Sequence, residues 1–174
     1  MNNIPQVLNA FRVYLYGRDL LGIADVELPE FSAVTAEVKG AGIAGKLDAP
    51  VVGHFDSLAL KLNWRTVTGN LLALSAPTGN QLDLRGVVQE YNAGDGTYKQ
   101  VPVKVVVITT PKKIALGKLS AAEAMESNIE FECAYLKLWY AGEEMVEIDK
   151  LNYKCVIEGV DYLEEVRVGL GLAG

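Results

Sequence analysis

The chain has 174 residues, half of them hydrophobic, and its formal net charge at pH 7 is −6. This length and apolar content predict one domain with a hydrophobic core and exclude a disordered chain. Sixteen basic residues against twenty-two acidic ones argue against tight binding to a nucleic-acid backbone, which requires clustered Lys and Arg. A surface past which DNA slides is compatible with this charge, because net repulsion would help.

The sequence shows neither a membrane-spanning helix nor a secretory signal. No apolar run reaches the roughly eighteen residues of a membrane helix. Residues 1–5 lack the basic and apolar blocks of a secretory signal. We therefore expect a protein that is made and kept in the cytosol, with no membrane partner.

The first part of the chain predicts an extension followed by a hairpin. Residues 1–10, with Pro5 and an asparagine pair, are expected to be an N-terminal extension. Residues 11–28 alternate as a hairpin that turns at residues 17–19 and ends at Pro29, which cannot donate to a strand ladder. Its register pairs apolar residues, Leu15 with Leu21 and Val13 with Ile23.

Residues 34–65 predict two strands separated by a long arm. Residues 34–39 and 57–65 alternate apolar and polar side chains, as strands with one buried face do. Between them, residues 40–53 contain four glycines and a proline, which exclude one regular element, yet the segment is too apolar for a solvated loop. We predict an arm that packs on a neighbouring subunit. Its interface residues are Gly40, Gly42, Ile43, Gly45, Leu47, Val51, Val52 and Phe55.

A short helix and a second hairpin follow. Residues 71–76 favour helix, with Thr68 or Asn70 as N-cap. Residues 81–92 and 97–109 form a hairpin across a Gly-Asp-Gly turn. Its register sets Leu82, Leu84, Gly86 and Val88 opposite Val107, Val105, Val103 and Val101, with Gly86 a candidate bulge or close approach and Pro102 at an edge or bulge. Residues 111–127 are read as a connection with one helical turn at a Ser120–Glu123 capping box.

The third hairpin is predicted from residues 129–141 and 145–157. Its register pairs Phe131 with Cys155, Leu138 with Ile148, Tyr140 with Val146 and Glu132 with Lys154. The buried face of both strands then switches near Leu136 and Lys150, which predicts a ribbon of about 43 Å that leaves its own core to join a neighbour. Cys133 and Cys155 lie diagonally, so no disulfide is expected. Asp161 is the predicted N-cap of a short C-terminal helix or turn, and residues 169–172 are a docking tail.

The residue types of catalysis are present only in weak arrangements. The single histidine, His54, has Asp56 and Ser57 beside it, but alternate strand residues point apart, so a loop or interface histidine is the better interpretation. Glu143 and Glu144 are interpreted as a solvated turn rather than as paired catalytic carboxylates. Neither a phosphate loop nor a zinc motif is present. The aromatic residues Tyr135, Trp139, Tyr140 and Tyr153 are interpreted as core or subunit contacts rather than base-stacking groups.

Several stretches together carry a resemblance to a known family. They are Leu28-Pro29-Glu30-Phe31, residues 38–45 and 58–64, and then residues 135–142, 147–152, 159–167 and 169–172. In this ordered set the sequence resembles the major tail tube proteins of contractile-tailed bacteriophages, a family shared with R-type tailocins. The likeness extends over nearly the whole chain and is weakest from residue 78 to 127.

The resemblance implies a mainly β, sandwich- or barrel-like protomer with one short flanking helix, as a single domain over residues 1–174. Six protomers would form a ring with an inter-subunit β-barrel around a channel, and rings would stack into a tube inside a contractile sheath. Implied partners are the sheath, tape-measure, baseplate and tail-terminator proteins, with DNA only in transit. No enzymatic activity, cofactor or metal is implied, and the location is a virion tail assembled in the host cytoplasm.

Within that scheme, residues 40–53 match the family's ring-stacking loop. The polar faces of the flanking strands would line the channel. The lumen-facing residues are Thr35, Glu37, Lys39, Lys61, Asn63 and Arg65. Two alternatives stay open at this point, which are a secreted hexameric ring protein of a bacterial contractile secretion system and a small β-barrel hydrolase around His54.

Overall fold

A computed structural model describes residues 3–19 and 22–172. Within these ranges its helices are α1 (Gly69–Leu74) and α2 (Glu164–Gly169), both short, and its other regular elements are strands. The strands are β1 (Asn3–Leu15), β2 (Arg18–Asp19), β3 (Ile23–Glu27), β4 (Ala33–Val38), β5 (Leu47–Phe55), β6 (Ala59–Trp64), β7 (Asn80–Asn92), β8 (Tyr98–Ala115), β9 (Ser127–Tyr140), β10 (Glu143–Asp149), β11 (Lys154–Ile157) and β12 (Val160–Asp161). Neither described helix is long and apolar enough to cross a membrane.

One large antiparallel sheet contains ten of the described strands. Its order is β12-β11-β10-β9-β8-β7-β1-β2, with β6 paired to the first half of β9 and β3 paired to β6. The sheet folds over itself, because Val26 of β3 lines the same cavity as Leu84 of β7 and Val105 of β8. The predicted mainly β, sandwich-like architecture is confirmed, with one short flanking helix, α1, and a second, α2, where a short C-terminal helix or turn was expected.

The hydrophobic core lies between these layers. Alternation in β6 buries Leu60, Leu62 and Trp64 completely or nearly so, as the period-2 pattern requires. Helix α1 adds Leu71 and Leu74, and its N-cap is Thr68, whose side chain accepts the Leu71 N–H at 3.2 Å. The predicted helix and one of its two candidate caps are therefore confirmed.

The predicted register of the second hairpin is confirmed throughout. Leu82 lies opposite Val107, and Val88 lies opposite Val101. Gly86 is a point of close approach, since a Cβ there would lie 3.0 Å from Leu8 Cδ1 of β1. The strand β8 continues to Ala115, however, so the predicted connection begins later and contains a turn without a helix.

Strand β9 changes its buried side in the middle. Odd-numbered residues face the core up to Cys133, and Leu136 then takes that position. The pairing with β8 explains the change: Ile108 lies opposite Tyr135 and Thr109 opposite Cys133, so Ala134 is the extra residue of a β-bulge. The predicted switch near Leu136 is confirmed for β9, but a bulge within the protomer causes it.

The third hairpin departs from its prediction. Strand β10 pairs with β9 two residues away from the expected register, and the pairing stops at Asp149. The chain then turns, and β11 pairs with β10 instead of β9. The observed pairs are Val146 with Leu138, Ile148 with Leu136, and Ile148 with Cys155 on the other side. The prediction of one long two-stranded ribbon was therefore wrong.

The side chains of the third hairpin follow the observed register. Glu132 contacts Lys150 and Lys112 rather than the predicted Lys154, which instead contacts Glu147 at 2.8 Å. Both cysteines are buried and free, as expected.

The predicted first hairpin was also wrong. Strand β1 pairs along its length with β7, and it meets β2 only through Tyr14 and Leu15. Ile23, predicted to face Val13, lies in β3 and pairs with Trp64 of β6. The other predicted partner, Leu21, lies outside the described residues. Residues 3–10, expected as an N-terminal extension, form the largely exposed first part of β1.

The strands on either side of the arm are not partners. Strand β4 pairs with β5, which lies mostly within the predicted arm, and the two make a separate two-stranded sheet. Strand β6 belongs to the large sheet. The single polar face predicted from residues 34–39 and 57–65 is therefore divided between two sheets.

The C-terminal helix is confirmed, but not its predicted cap. Helix α2 begins at Glu164 with Leu163 as its N-cap residue. Asp161 belongs to β12, and its side chain accepts the Leu163 N–H at 3.0 Å.

Candidate assembly surfaces

The β4–β5 hairpin, residues 33–55, includes the predicted arm of residues 40–53, and the whole hairpin is called the arm from here on. It has one apolar side and one polar side. Val38 lies opposite Leu47, and Glu37 lies opposite Asp48. Directly opposed residues of an antiparallel pair project to the same side, so the first pair is on one side and the second, with Thr35, on the other. Leu47 is 55% exposed and Val38 38% exposed. The arm thus presents an apolar side to water.

The tip of the arm, residues 39–46, is organised by glycines and by one carboxylate. Three of its glycines have φ angles between 91° and 140°, a region that side chains rarely adopt. Glu37 lies 3.5 Å from both Lys39 and Lys46, and Ile43 at the tip remains partly exposed. The tip is a defined turn that carries an apolar side chain.

The predicted interface residues do not all lie on the free part of the arm. Phe55 packs against the protomer's own core, and its ring centroid lies 5.9 Å from that of Phe31. Val51 is half-buried. The exposed members of the predicted set are Gly40, Gly42, Ile43, Gly45, Leu47 and Val52.

The base of the arm is fastened to the C-terminal segment. Gly53, with φ of 71°, leaves room for the buried side chain of Leu163. The same region is joined to the turn after β10 through Lys150, whose Nζ donates to the backbone oxygen of Asp56 at 2.6 Å. The arm therefore leaves the body from a fixed position.

Glu132 connects this junction to β9. Its carboxylate accepts hydrogen bonds from Ser57 Oγ and, at 3.2 Å, from the Leu58 N–H, and it lies 3.4 Å from Lys150 Nζ. Burial acts to raise the pKa of Glu132, but these hydrogen bonds and the Lys150 charge outweigh it, and the pKa is lowered. The carboxylate is thus held in its charged form.

A polar face covers the outside of β3, β6 and the first half of β9. Lys61 lies 3.3 Å from Glu27, and Asn63 donates to Asp25 and Glu27. Arg65, just after β6, is exposed. The three predicted lumen residues of β6 and its end thus belong to one charged surface, whereas Thr35 and Glu37 lie on the polar side of the arm and Lys39 at its tip.

The aromatic residues of β9 make contacts within the protomer. Lys104 and Lys137 lie over the Trp139 ring at 4.9 and 5.1 Å from its centroid. The Tyr135 hydroxyl donates to Glu147 at 3.0 Å, and burial together with this bond raises the Tyr135 pKa to about 12.

The residues considered for catalysis are not assembled into a site. His54 is exposed and borders a cavity of about 160 Å³ with Asp149 and Tyr153. Ser57 donates to Glu132, so it does not form a dyad with His54. In the described ranges no three His, Cys, Asp or Glu side chains are placed to hold a metal ion.

Sequence reasoning missed an apolar groove between β3 and the layer formed by β1, β7 and β8. Its volume is about 390 Å³, and the exposed side chains of Leu8 and Leu28 stand at its opening. We call it the β1–β3 groove. Its lining is Leu8, Phe11, Asp25, Val26, Leu28, Leu84, Arg85, Gly86, Val88, Val103 and Val105. A signal in the sequence was the presence of Ile4, Val7 and Leu8 within residues 1–10, a segment that was not expected to join the sheet.

An amphipathic arm, a largely exposed first half of β1 and an open apolar groove are features typical of a protein that associates with other chains. The fold is similar to that of the sheath/tube terminator of an extracellular contractile injection system, PVC, with a TM-score of 0.53 and 12% identity over 78% of this chain and 96% of that one. The fold class is thus one found in contractile assemblies.

The family follows from two sequence comparisons. The family model of phage tail tube protein FII matches residues 5–171. The tail tube protein of Escherichia phage P2 is 32% identical over 176 residues, which cover 97% of this chain and 99% of that protein. The chain belongs to the phage tail tube protein FII family, and the resemblance seen in the sequence is confirmed.

Proposed function

We propose that this structural protein of the phage tail forms hexameric rings that stack into the non-contractile inner tail tube. The tube is the conduit for DNA and the tape-measure protein, and it contacts the contractile sheath, baseplate and tail-terminator proteins. It performs no catalytic step. The virion tail is its final location after assembly in the host cytoplasm.

The observation that carries the proposal is the two-sided arm. An exposed apolar surface on an ordered hairpin requires a partner, and in a homo-oligomer that partner is another copy. The side with Val38 and Leu47 packs on the neighbouring ring, together with Ile43 at the tip. The side with Thr35 and Glu37, and Lys39 at the tip, faces the channel.

The remaining lumen residues are Lys61, Asn63 and Arg65. Their surface mixes both charge signs, with Glu27 and Asp25 beside the basic groups. A mixed polar wall suits a water-filled channel that neither binds nor strongly repels DNA. Closure of the β-sheets between subunits would also remove free strand edges.

The test is electron microscopy of the purified chain and of a Val38→Ser/Leu47→Ser variant. The unmodified chain is expected to form tubes, whereas the variant forms folded protomers or single rings. A matched control on the polar side, Thr35→Ser/Asp48→Ser, should stack normally. Tubes of normal length from the apolar-side variant would contradict the proposal, and loss of folding would show that the arm belongs to its own protomer's core.

The alternative of a secreted ring protein of a contractile secretion system shares this architecture. Membership of the phage family favours the tail tube. An experiment distinguishes the two alternatives: a tail tube protein should copurify with phage or tailocin tails, whereas a secreted ring protein should not.

A further inference from the structure

The C-terminal residues combine a strand-like sequence with a helical structure. Val166, Val168, Leu170 and Leu172 recur at every second position, which is the period of a strand. β-Branched valines and the glycines at 169 and 171 also disfavour helix. Even so, residues 164–169 form helix α2, which ends in a turn near Leu172.

Packing does not explain this helix. None of the residues of α2 is buried, and Val168, Leu170 and Leu172 are between 55% and 60% exposed. A six-residue helix without a buried face has little to stabilise it, because short helices depend on tertiary packing. A local conformation that opposes its own sequence pattern is typical of a functional segment.

Two bonds of Arg167 attach the C-terminal residues to the rest of the protomer. Arg167 Nη2 lies 2.6 Å from Asp161 Oδ2, and Arg167 Nη1 donates to the backbone oxygen of Tyr153 at 2.8 Å. Residues up to 167 are therefore attached to the body. Residues 168–172, which we call the C-terminal tail, extend beyond this clamp and have only backbone hydrogen bonds of the helix and turn among the described contacts.

The β1–β3 groove has the features that a short extended segment needs. Within the described residues, β3 pairs with β6 alone, and β1 pairs with β2 only at its last two residues, so each strand has an edge with unpaired backbone groups. Asp25 and Val26, neighbours on opposite faces of β3, both line the groove, which places the β3 edge at its opening. Apolar side chains of β7 and β8 form its floor.

We propose that the C-terminal tail of one copy enters the β1–β3 groove of a neighbouring copy as an extended segment. Its backbone would pair with the free edge of β3, a mode known as β-strand addition. Val168, Leu170 and Leu172 would point to the apolar floor, and Gly169 and Gly171 would lie on the outer side. The proposal rests on the proposed assembly into rings and tubes, and it names a contact other than the arm.

The decisive experiment is cysteine cross-linking in assembled tubes. Leu170→Cys chains and Val88→Cys chains are mixed one to one, assembled and oxidised. A disulfide-linked dimer with one chain of each kind is expected. A Leu151→Cys chain, whose leucine is 76% exposed but lies in a different turn, provides the matched control and should not cross-link to Val88→Cys. The native cysteines are both buried, so they should not interfere.

The outcomes separate this inference from the proposed function. Tubes without the Leu170–Val88 cross-link would overturn the tail contact and leave the tube intact. A cross-link from Ile43→Cys to Val88→Cys in its place would show that the arm occupies the groove, which also overturns the inference. Absence of tubes from the unmodified chain would overturn the proposed stacking, and this contact with it.

A second measurement uses the tail without cysteines. Leu170→Ser/Leu172→Ser should raise the protein concentration needed for assembly by about tenfold or more, because two leucines lose their buried environment. Leu151→Ser should leave that concentration unchanged. Hydrogen exchange at the amides of residues 170–172 should slow on assembly of the unmodified chain, and equally fast exchange in both states would contradict the inference.

Discussion

Gly53 of the arm lies directly against Leu163 of the C-terminal segment, so that a Cβ atom at position 53 would be 2.5 Å from Leu163 Cγ. Gly53→Ala should therefore destabilise the fold by about 2 kcal/mol, from overpacking and from its positive φ of 71°. The free energy of unfolding in urea measures this. Gly42→Ala is the matched control, since it has a positive φ but nothing within 4 Å, and it should cost about 1 kcal/mol. Equal losses of unfolding free energy in the two variants would show that Leu163 does not crowd a side chain at position 53.

The Glu132 carboxylate predicts a dependence of stability on pH. Its pKa is below the ordinary value in the folded protein, so its contribution is complete above the unfolded-state pKa and is lost as the pH falls through the folded-state pKa. Glu132→Gln should lower stability at pH 7 by about 1 kcal/mol, given partial exposure to solvent, and should flatten the acid limb of the stability curve.

The control for that measurement is Glu123→Gln, which removes an exposed carboxylate 3.6 Å from Lys118. It should change the free energy of unfolding little, both at pH 7 and on the acid limb of the stability curve. If the two variants gave parallel pH curves, Glu132 would have no special role at the arm junction.

The two thiols should be unreactive in the folded protein. Burial raises the pKa of Cys133 to about 12 and also raises that of Cys155, so the reactive thiolate is scarce at pH 8. Native protein should show almost no reaction with a colorimetric disulfide reagent, and protein in denaturant should show both thiols. Stoichiometric reaction of the native chain would contradict their burial.

Arg167 should hold the start of α2. Its bonds to Asp161 of β12 and to the Tyr153 carbonyl in the turn before β11 tie the helix to both elements, and the bond to Arg167 lowers the pKa of Asp161. Arg167→Gln is expected to speed amide exchange at residues 163–167. Arg12→Gln, which removes a distant pair with Asp19, should not. Unchanged exchange in Arg167→Gln would show that the clamp does not hold the helix.

The assignment of Lys61 to the channel can be tested by accessibility. A Lys61→Cys chain should react with a bulky thiol reagent as a free protomer and resist it in the assembled tube. An exposed control position outside the proposed channel, such as Leu151→Cys, should react in both states. Equal reactivity of Lys61→Cys in the two states would place Lys61 outside the channel.

The predictable parts of this fold are those in which local signals agree. The β7–β8 register could be read from the sequence because a Gly-Asp-Gly turn and two alternating valine- and leucine-rich strands specify the same pairing. The short helix α1 was predictable from the Thr68 cap for the same reason.

The third hairpin was misread because a second turn was overlooked. Asp149 Oδ1 accepts the N–H groups of Leu151 and Asn152, which makes the Asp-to-Asn stretch an Asx-type turn. Tyr153 then has a φ of 50°, rare for a tyrosine. These residues are a turn signal in the sequence, but the alternation of residues 145–157 outweighed it in the interpretation.

The arm was found as a segment but not as a hairpin. Pro50 and the glycines obscured the strand β5, although Val38 to Leu47 and Glu37 to Asp48 pair regularly. The surrounding sheet could not be predicted, because β3 and β6 are far apart in the sequence, as the pairing of Ile23 with Trp64 shows. No local pattern encodes which face of such strands meets which partner.

The bulge at Ala134 has a mechanical consequence. The residues before it pair with β6 and those after it pair with β10, while β8 accompanies β9 on the other side through both regions. The two regions are thus joined by continuous covalent backbone rather than by a loop. A shearing force between them would have to stretch a strand along its length. The protomer should therefore resist a shearing force as one stiff unit, because its two regions cannot slide past each other.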